Sequence, residues 1–370
     1  VFVNVKFTPL KAHMAAIQFN TKDHPFFDAL KKKVDNYFAE RDIKPSGNWR
    51  LYSKTIILVT TFFALYGILV FVSMPVWLSI VLCIVFGINI AAIGFNVMHD
   101  GAHGSFSSKS WVNDIMGYSL NVMGGDVNLW KIKHNLIHHS FTNIDGLDDD
   151  IDIRPFMRTT LIQPKLKMHR WQHVYSIALY SLTYILWIFY FDFKKYFSRK
   201  IGLTPIRKFS VKNHIVFWVT KLLHFTFFLG LPIYTLGVLA TILGYLIVTF
   251  VCGIILAYVF QMAHVMENTE FVDPNAAVDG KLEDEWAVHQ IKTTTNFATQ
   301  SRVVSWLTGG LNFQVEHHLF PRISHVHYPE INKLVKETCD QFGVRYNEYK
   351  TVVQALKSHV NHLRLVGKAA

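Results

Sequence analysis

Long apolar runs separated by short polar stretches dominate the chain. Residues 55–74 and 76–98 are two such runs, parted by Pro75, and each reaches the roughly 20 residues that span a hydrocarbon core. They predict a first helical hairpin. Three further runs, at about 174–193, 215–234 and 237–260, are long enough to cross as well. Ahead of the hairpin, residues 24–42 place Phe26, Phe27, Leu30, Val34, Tyr37 and Phe38 on one helical stripe, opposite Lys31, Lys32 and Lys33. That stripe suits a membrane surface or, equally, a packing face on the protein's own cytoplasmic part. After residue 318 the chain turns polar, with helices expected over about 329–342 and 351–365. The pattern predicts an all-α integral-membrane fold: an N-terminal cytoplasmic segment over 1–54, a membrane domain over 55–330 and C-terminal cytoplasmic helices over 331–370.

Charge orients these runs. Lys44, Arg50 and Lys54 precede the hairpin and a charged, histidine-bearing region follows it, which puts both of its ends in the cytoplasm. Another histidine cluster follows the last apolar run, so if all the clusters meet on one side, an even number of crossings separates them. One of the three later runs then stays behind. Residues 174–193 have His169 and Arg170 before them and Lys194, Lys195, Arg199 and Lys200 after them, the mark of a re-entrant or interfacial helix. The other two runs meet in an uncharged turn around Pro232 and Gly237. The expectation is four transmembrane helices in two hairpins, multi-pass, with histidine clusters and both termini cytoplasmic and a helical cap holding a di-metal site.

Composition agrees and narrows the function. Hydrophobic residues make up 51% and charged residues only 17%, too apolar for an ordinary soluble enzyme. A formal net charge of +11 raises nucleic acid as a partner, but no basic recognition module with interleaved aromatics is present. Anionic headgroups and an acidic redox partner fit better. Cys83, Cys252 and Cys339 form no CxxC pair and read as packing residues. The opening stretch has no charged-then-apolar signal pattern, so insertion is expected to rely on internal helices.

Nineteen histidines is unusual, and many are clustered. His99-Asp-Gly-Ala-His103 closes the second apolar run, and an i, i+4 pair on a helix presents both imidazoles on one face. His134-Asn-Leu-Ile-His138-His139 adds an adjacent histidine about 100° further round. Gln314-Val-Glu-His317-His318 repeats the adjacent pair with glutamine leading, and His264 stands alone at the end of the last apolar run. One such pair arises by chance. Three clusters exceed the three or four ligands of a single zinc and point to two metals bound by neutral imidazole. No Glu-x-x-His motif accompanies them, which disfavours the carboxylate-bridged di-iron bundle. A metal transporter would carry ionisable groups in mid-membrane, and a bis-histidine haem carrier single histidines on facing helices, whereas these clusters sit at helix ends.

With the boxes HDGAH, HNLIHH and QVEHH, the chain resembles the membrane fatty-acid desaturases, and in particular the front-end, cyanobacterial-type Δ6 acyl-lipid and linoleoyl-CoA enzymes. The likeness extends to Gln261-Met-Ala-His264-Val-Met-Glu, Thr294-Thr-Asn296-Phe and Gly310-Leu-Asn-Phe-Gln314-Val-Glu-His-His-Leu-Phe-Pro321, and covers roughly residues 90–330. It implies a non-haem di-iron site on His99, His103, His134, His138, His139, His264, His317 and His318, with zinc a possible occupant in recombinant material. Gln314 stands where related acyl-CoA desaturases place another histidine, and either binds metal, holds a water on it or orients a neighbour. A leading glutamine is the front-end signal. The implied reaction is O2-dependent desaturation of a C18 unsaturated acyl-lipid or acyl-CoA. A related hydroxylase or ketolase shares the ligands and differs in its product.

His24-Pro-Phe-Phe is no haem-binding His-Pro-Gly-Gly, so the resemblance implies a separate donor, ferredoxin or cytochrome b5. Candidate groups behind the ligands are Asp100, Asp126, Asp149, Asp150, Asn296 and Glu316, each with a solvated or capping role as the plain alternative. The run Asp148, Asp149, Asp150 and Asp152 lacks a calcium loop's spacing and reads as a solvated turn or a partner for imidazoles. Trp130, Trp171, Trp286 and Trp306 are candidates to line an acyl channel or to anchor at headgroups. His214, His224, His289, His325 and His327 are expected to be structural.

Overall fold

The computed structural model describes residues 17–19, 24–277 and 281–369, so the signal-peptide reading of the opening stretch lies outside the described residues. α1 (Pro25–Glu40) begins at a proline, tolerated there because the first helical N–H has no partner in any case. It buries Phe26, Leu30 and Val34 against Ala287, Ile291, Ile331, Val335 and Cys339. Of the two readings of the amphipathic stripe, packing on the protein itself is the one observed.

α2 (Trp49–Phe71) is capped by Asn48, whose side chain accepts from the Arg50 N–H at 2.9 Å. Pro75 starts α3 (Val76–His103), which contains a π-helical turn at Gly94–Met98 and carries the first histidine box. α4 (Ser110–Gly117) folds back on that box, and α5 (Lys131–His138) carries the second. There follow α6 (Lys167–Ser198), α7 (Val211–Leu236) and α8 (Val238–His264). Five helices, α2, α3, α6, α7 and α8, are long and apolar enough to cross a membrane among the described residues, one more than the four expected crossings. Each extends beyond its apolar run at one end or both.

α8 is the hub, packing along α3 on one side and α6 on the other. At its crossing with α6, a Cβ on Gly253 would lie 2.7 Å from the Ser181 carbonyl oxygen, so glycine sets the close approach. Beyond α8 a helical cap forms: α9 (Trp286–Thr293), α10 (Gln314–Leu319), α11 (Tyr328–Phe342) and α12 (Val352–Lys368). Two residue pairs of parallel strand, Asn296–Phe297 on Glu348–Tyr349, tie the end of the chain to the segment before the third box. Cys83, Cys252 and Cys339 are free and buried, in keeping with packing roles.

Candidate metal centre

The C-terminal ends of α3 and α8 meet α5 and α10, and the clusters converge into one buried cavity. In the first box Gly101 is required sterically: a Cβ there would sit 2.6 Å from the Gly117 nitrogen of α4. Gly104, at φ 77°, then ends the helix in the left-handed region, open to glycine without strain. The second box departs from the expected α-helix. Lys131–His138 is π-helical, with the His139 N–H bonded five residues back to the His134 carbonyl at 3.1 Å. The wider turn brings His138 and His139 both against His134, ring centroids 5.1 and 4.9 Å away.

One ring nitrogen each from His99, His103, His134 and His317 lies within 4.8 Å of the others, and the same holds for His138, His264 and His318. His139 stands between the two groups, its ring 4.6 Å from His317 and 4.4 Å from His318. The test of fit is what these nitrogens bind within the chain. Nε2 of His99, His103, His134, His138, His317 and His318, both ring nitrogens of His139 and Nδ1 of His264 are buried with no hydrogen-bond partner. Leaving a buried polar group unpartnered costs about 1–3 kcal/mol. So many convergent imidazole nitrogens with nothing to bond fit metal ions of the first transition row.

On His134, His138, His317 and His318 the opposite ring nitrogen is held. His134 Nδ1 lies 3.0 Å from Asp150 and His138 Nδ1 2.9 Å from Asp148, and each carboxylate accepts the Nδ1–H that leaves Nε2 free. Burial keeps His134 below the usual imidazole range. It opposes protonation of His138 too, but Asp148 outweighs it and pushes that group up. Asp150, despite its burial, is held well below the carboxylate range by Lys133, 2.5 Å away, and by His134. His318 Nδ1 meets Gln290 Oε1 at 2.8 Å, and His317 Nδ1 meets the Tyr328 hydroxyl at 3.2 Å. Burial, with the neighbouring imidazoles, holds His139, His317 and His318 well below the ordinary value. These three, like His134, are poised as neutral donors. Trp130 stacks on His134 at 4.5 Å and Phe260 packs on His138 and His264, walling the cavity with apolar surface.

The candidates behind the ligands separate. Asp150 reaches the His134 ring in the cavity, whereas Asp149 pairs with Lys195 at 3.3 Å. Asp126 caps a helical turn through the Leu129 N–H, the plain alternative allowed for it. Asp100 faces away from the cavity and binds His325 and Ser324, with Lys54 on the far side of His325 at 3.0 Å. Asn296 accepts from the Val315 N–H and donates to Glu316, which also takes bonds from Asn332 and Tyr346, so this pair anchors α10. The Gln314 amide lies 3.0 Å from His264 Nε2.

Among the tryptophans, Trp130 lines the cavity and Trp286 donates to the His139 carbonyl at 3.1 Å. Trp171 is 59% exposed, and Trp306 packs near Lys54. His214 bonds Tyr196, His224 bonds Tyr245 and Val122, His289 bonds Thr142, His325 bonds Asp100 and His327 bonds Ser46, none of them joining the cavity's nitrogen groups. Reading the sequence missed Gln290, Tyr328 and Thr142, and left Asp148 unsingled within its acidic run. Only that run carried a signal.

Comparison with known proteins agrees with the cavity. The chain is 34% identical to an sn-1 linoleoyl-lipid 6-desaturase of Synechocystis sp., over 95% of this chain and 98% of the relative. It is 35% identical to an acyl-lipid (8-3)-desaturase of Physcomitrium patens, over 94% of this chain and 73% of the relative. An sn-1 linoleoyl-lipid 6-desaturase of Arthrospira platensis matches at 34% identity, over 92% of each chain. The model of the fatty acid desaturase family matches residues 75–350, and with three histidine boxes closing on one cavity, the chain belongs to that family.

Proposed function

We propose that this protein is a front-end desaturase that introduces a Δ6-type double bond into a C18 unsaturated chain carried on a lipid or on CoA, at a di-iron centre. The observation that carries the reading is the cavity of unpartnered imidazole nitrogens whose third box is led by glutamine. His99, His103, His134 and His317 would hold one iron and His138, His264 and His318 the other, with His139 between them. Bound there, the irons supply the O2-dependent oxidation that removes two hydrogens from adjacent methylenes. Asp148, Asp150, Gln290 and Tyr328 set the tautomers of the rings they touch, and Trp130 and Phe260 keep water out. Gln314 steadies His264, 3.0 Å away.

A front-end enzyme must bring the carboxyl end of its substrate within a few methylenes of the metals. A cleft of ≈ 670 Å³ supports this: it reaches His103 and is lined by Lys44, Arg322, Ser107, Ser108 and Ser110, and by Lys131 paired with Asp114 at 3.4 Å. We place the polar end of the substrate there. Four helices cross in this reading and α6 does not. Both its ends touch the loop after the second box, His169 with the Pro155 carbonyl at 2.9 Å and Lys195 with Asp149 at 3.3 Å. The clusters and both termini are then cytoplasmic, where a ferredoxin or cytochrome b5 delivers electrons.

Expression in a host supplied with linoleate, iron and a donor, followed by fatty-acid analysis, tests the reading. A new double bond at position 6 is expected. A hydroxylated product, or unchanged lipid with iron and donor present, overturns it.

A further inference from the structure

The loop after the second box wraps the end of the chain in a way the desaturation reaction does not use. Arg158 is buried and donates to the carbonyls of Leu161, Gln163, Val366 and Ala369, tying residues 156–163 to the last turn of α12. Lys165 Nζ donates to the Lys368 carbonyl at 2.9 Å, and Gly367 packs on the His169 carbonyl. The C-terminal end of α12 is therefore fixed against the start of α6.

The surface so assembled is of two kinds at once. Leu161, Leu166, Met168, Trp171 and Leu365 are exposed apolar side chains, and Trp171, Val174 and Ile177 run on along α6 as one outward stripe. Among them stand Lys165, Lys167, Arg170, Arg364 and Lys368, all exposed, none of them in an ion pair with a described carboxylate. A water-facing surface would have no reason to expose so many apolar groups, and a hydrocarbon-facing one would not carry unpaired cations. Apolar side chains with a tryptophan and a ring of basic residues match the depth where acyl chains give way to phosphates.

We propose that this junction of residues 156–171 with the last turns of α12 binds the phosphate of an anionic membrane phospholipid, distinct from the substrate. The apolar side chains sit among the acyl chains while Lys165, Arg170, Arg364 and Lys368 converge on the headgroup. Charge complementarity and continuity with the apolar stripe of α6 favour a lipid here over an acidic protein, which would not bury Trp171 beside a membrane helix.

The test uses the full-length, metal-loaded protein reconstituted in nanodiscs of phosphatidylcholine mixed with phosphatidylglycerol, then washed with detergent and weighed for retained lipid by native mass spectrometry. Wild type is expected to retain phosphatidylglycerol over phosphatidylcholine. A K165Q/R170Q/R364Q/K368Q variant should lose about tenfold or more of that preference, each basic group at an anionic surface contributing on the order of a few-fold. A K165R/R170K/R364K/K368R variant should keep it, which separates charge from folding, and metal content should match wild type in both. Equal retention in wild type and the glutamine variant overturns the proposal. So does unchanged lipid retention with lost affinity for an acidic electron donor, which would assign the surface to protein docking.

Discussion

Two sets of buried histidines share this fold, equal in burial and opposite in what their rings bind. Around the cavity, each of the eight has at least one nitrogen with no partner in the chain. Elsewhere, among the described residues, several buried rings are engaged on both nitrogens. His169 takes the Leu166 N–H on Nδ1 and faces the Pro155 carbonyl on Nε2. His359 meets the Val265 carbonyl and the Tyr180 hydroxyl, and His325 spans Asp100 and Lys54. A buried histidine is thus no evidence for a ligand by itself. What sets the cavity rings apart is that their unfilled nitrogens converge, whereas the one on His173 stands outside those groups.

The largest break in this contrast should come from truncating a cavity ring. His134→Ala or His318→Ala is expected to bring desaturation to background and to lower iron per chain, measured by elemental analysis. His359→Gln should keep its iron. Equal iron loss from both kinds of variant would erase the distinction. Removing a carboxylate behind a ligand comes next: Asp148→Asn and Asp150→Asn should each cost about 10–100-fold in activity or metal affinity. Asp126→Asn, whose carboxylate takes bonds from the Leu129 N–H and the Asn121 amide and from no cavity ring, serves as the control, and matching losses there would mean that fold rather than tautomer is being read.

Gln314→Leu should fall at the lower edge of that same range of about 10–100-fold, with metal content kept, if the amide steadies His264. Loss of an iron instead would make Gln314 a ligand. The last effect concerns the structural set and leaves activity at neutral pH unchanged. Burial pushes His359 down to about 4, against the help of the Val265 carbonyl. In the unfolded chain a histidine titrates near 6.5. As pH falls from there to about 4, the unfolded chain takes up a proton that the native ring refuses, and stability drops by on the order of 3 kcal/mol. His359→Gln should flatten that part of the thermal midpoint against pH in detergent, and an unchanged slope would show that other groups carry it.

Much of this was legible beforehand because it is local. The lengths of the apolar runs located every membrane-length helix, and the spacing within the boxes selected seven of the eight histidines that line the cavity, His264 coming only from the family resemblance. The ends of helices were less legible, since α3 and α8 run on into the polar ligand-bearing turns that a hydropathy reading assigns to loops. The π-helical form of the second box was hidden for a related reason: Lys131–His138 has ordinary helical spacing, and the wider turn accompanies ring contacts with α3, α8 and α10 that lie far off in sequence.

Along the chain alone, then, were written the membrane-length helices, the clustered histidines and the glutamine that leads the third box. Composition and spacing suffice for these, because hydrocarbon thickness and helix pitch act on neighbours in sequence. Tertiary structure decided which side chains hold the rings. Asp148 and Asp149 are adjacent and chemically identical, yet the first orients His138 and the second pairs with Lys195. Gln290 and Tyr328, far from His318 and His317 by the chain's local rules, meet them only when α9 and α11 close over the cavity. Hydrogen bonds reach about 3 Å, so a partner's identity depends on where folding brings it.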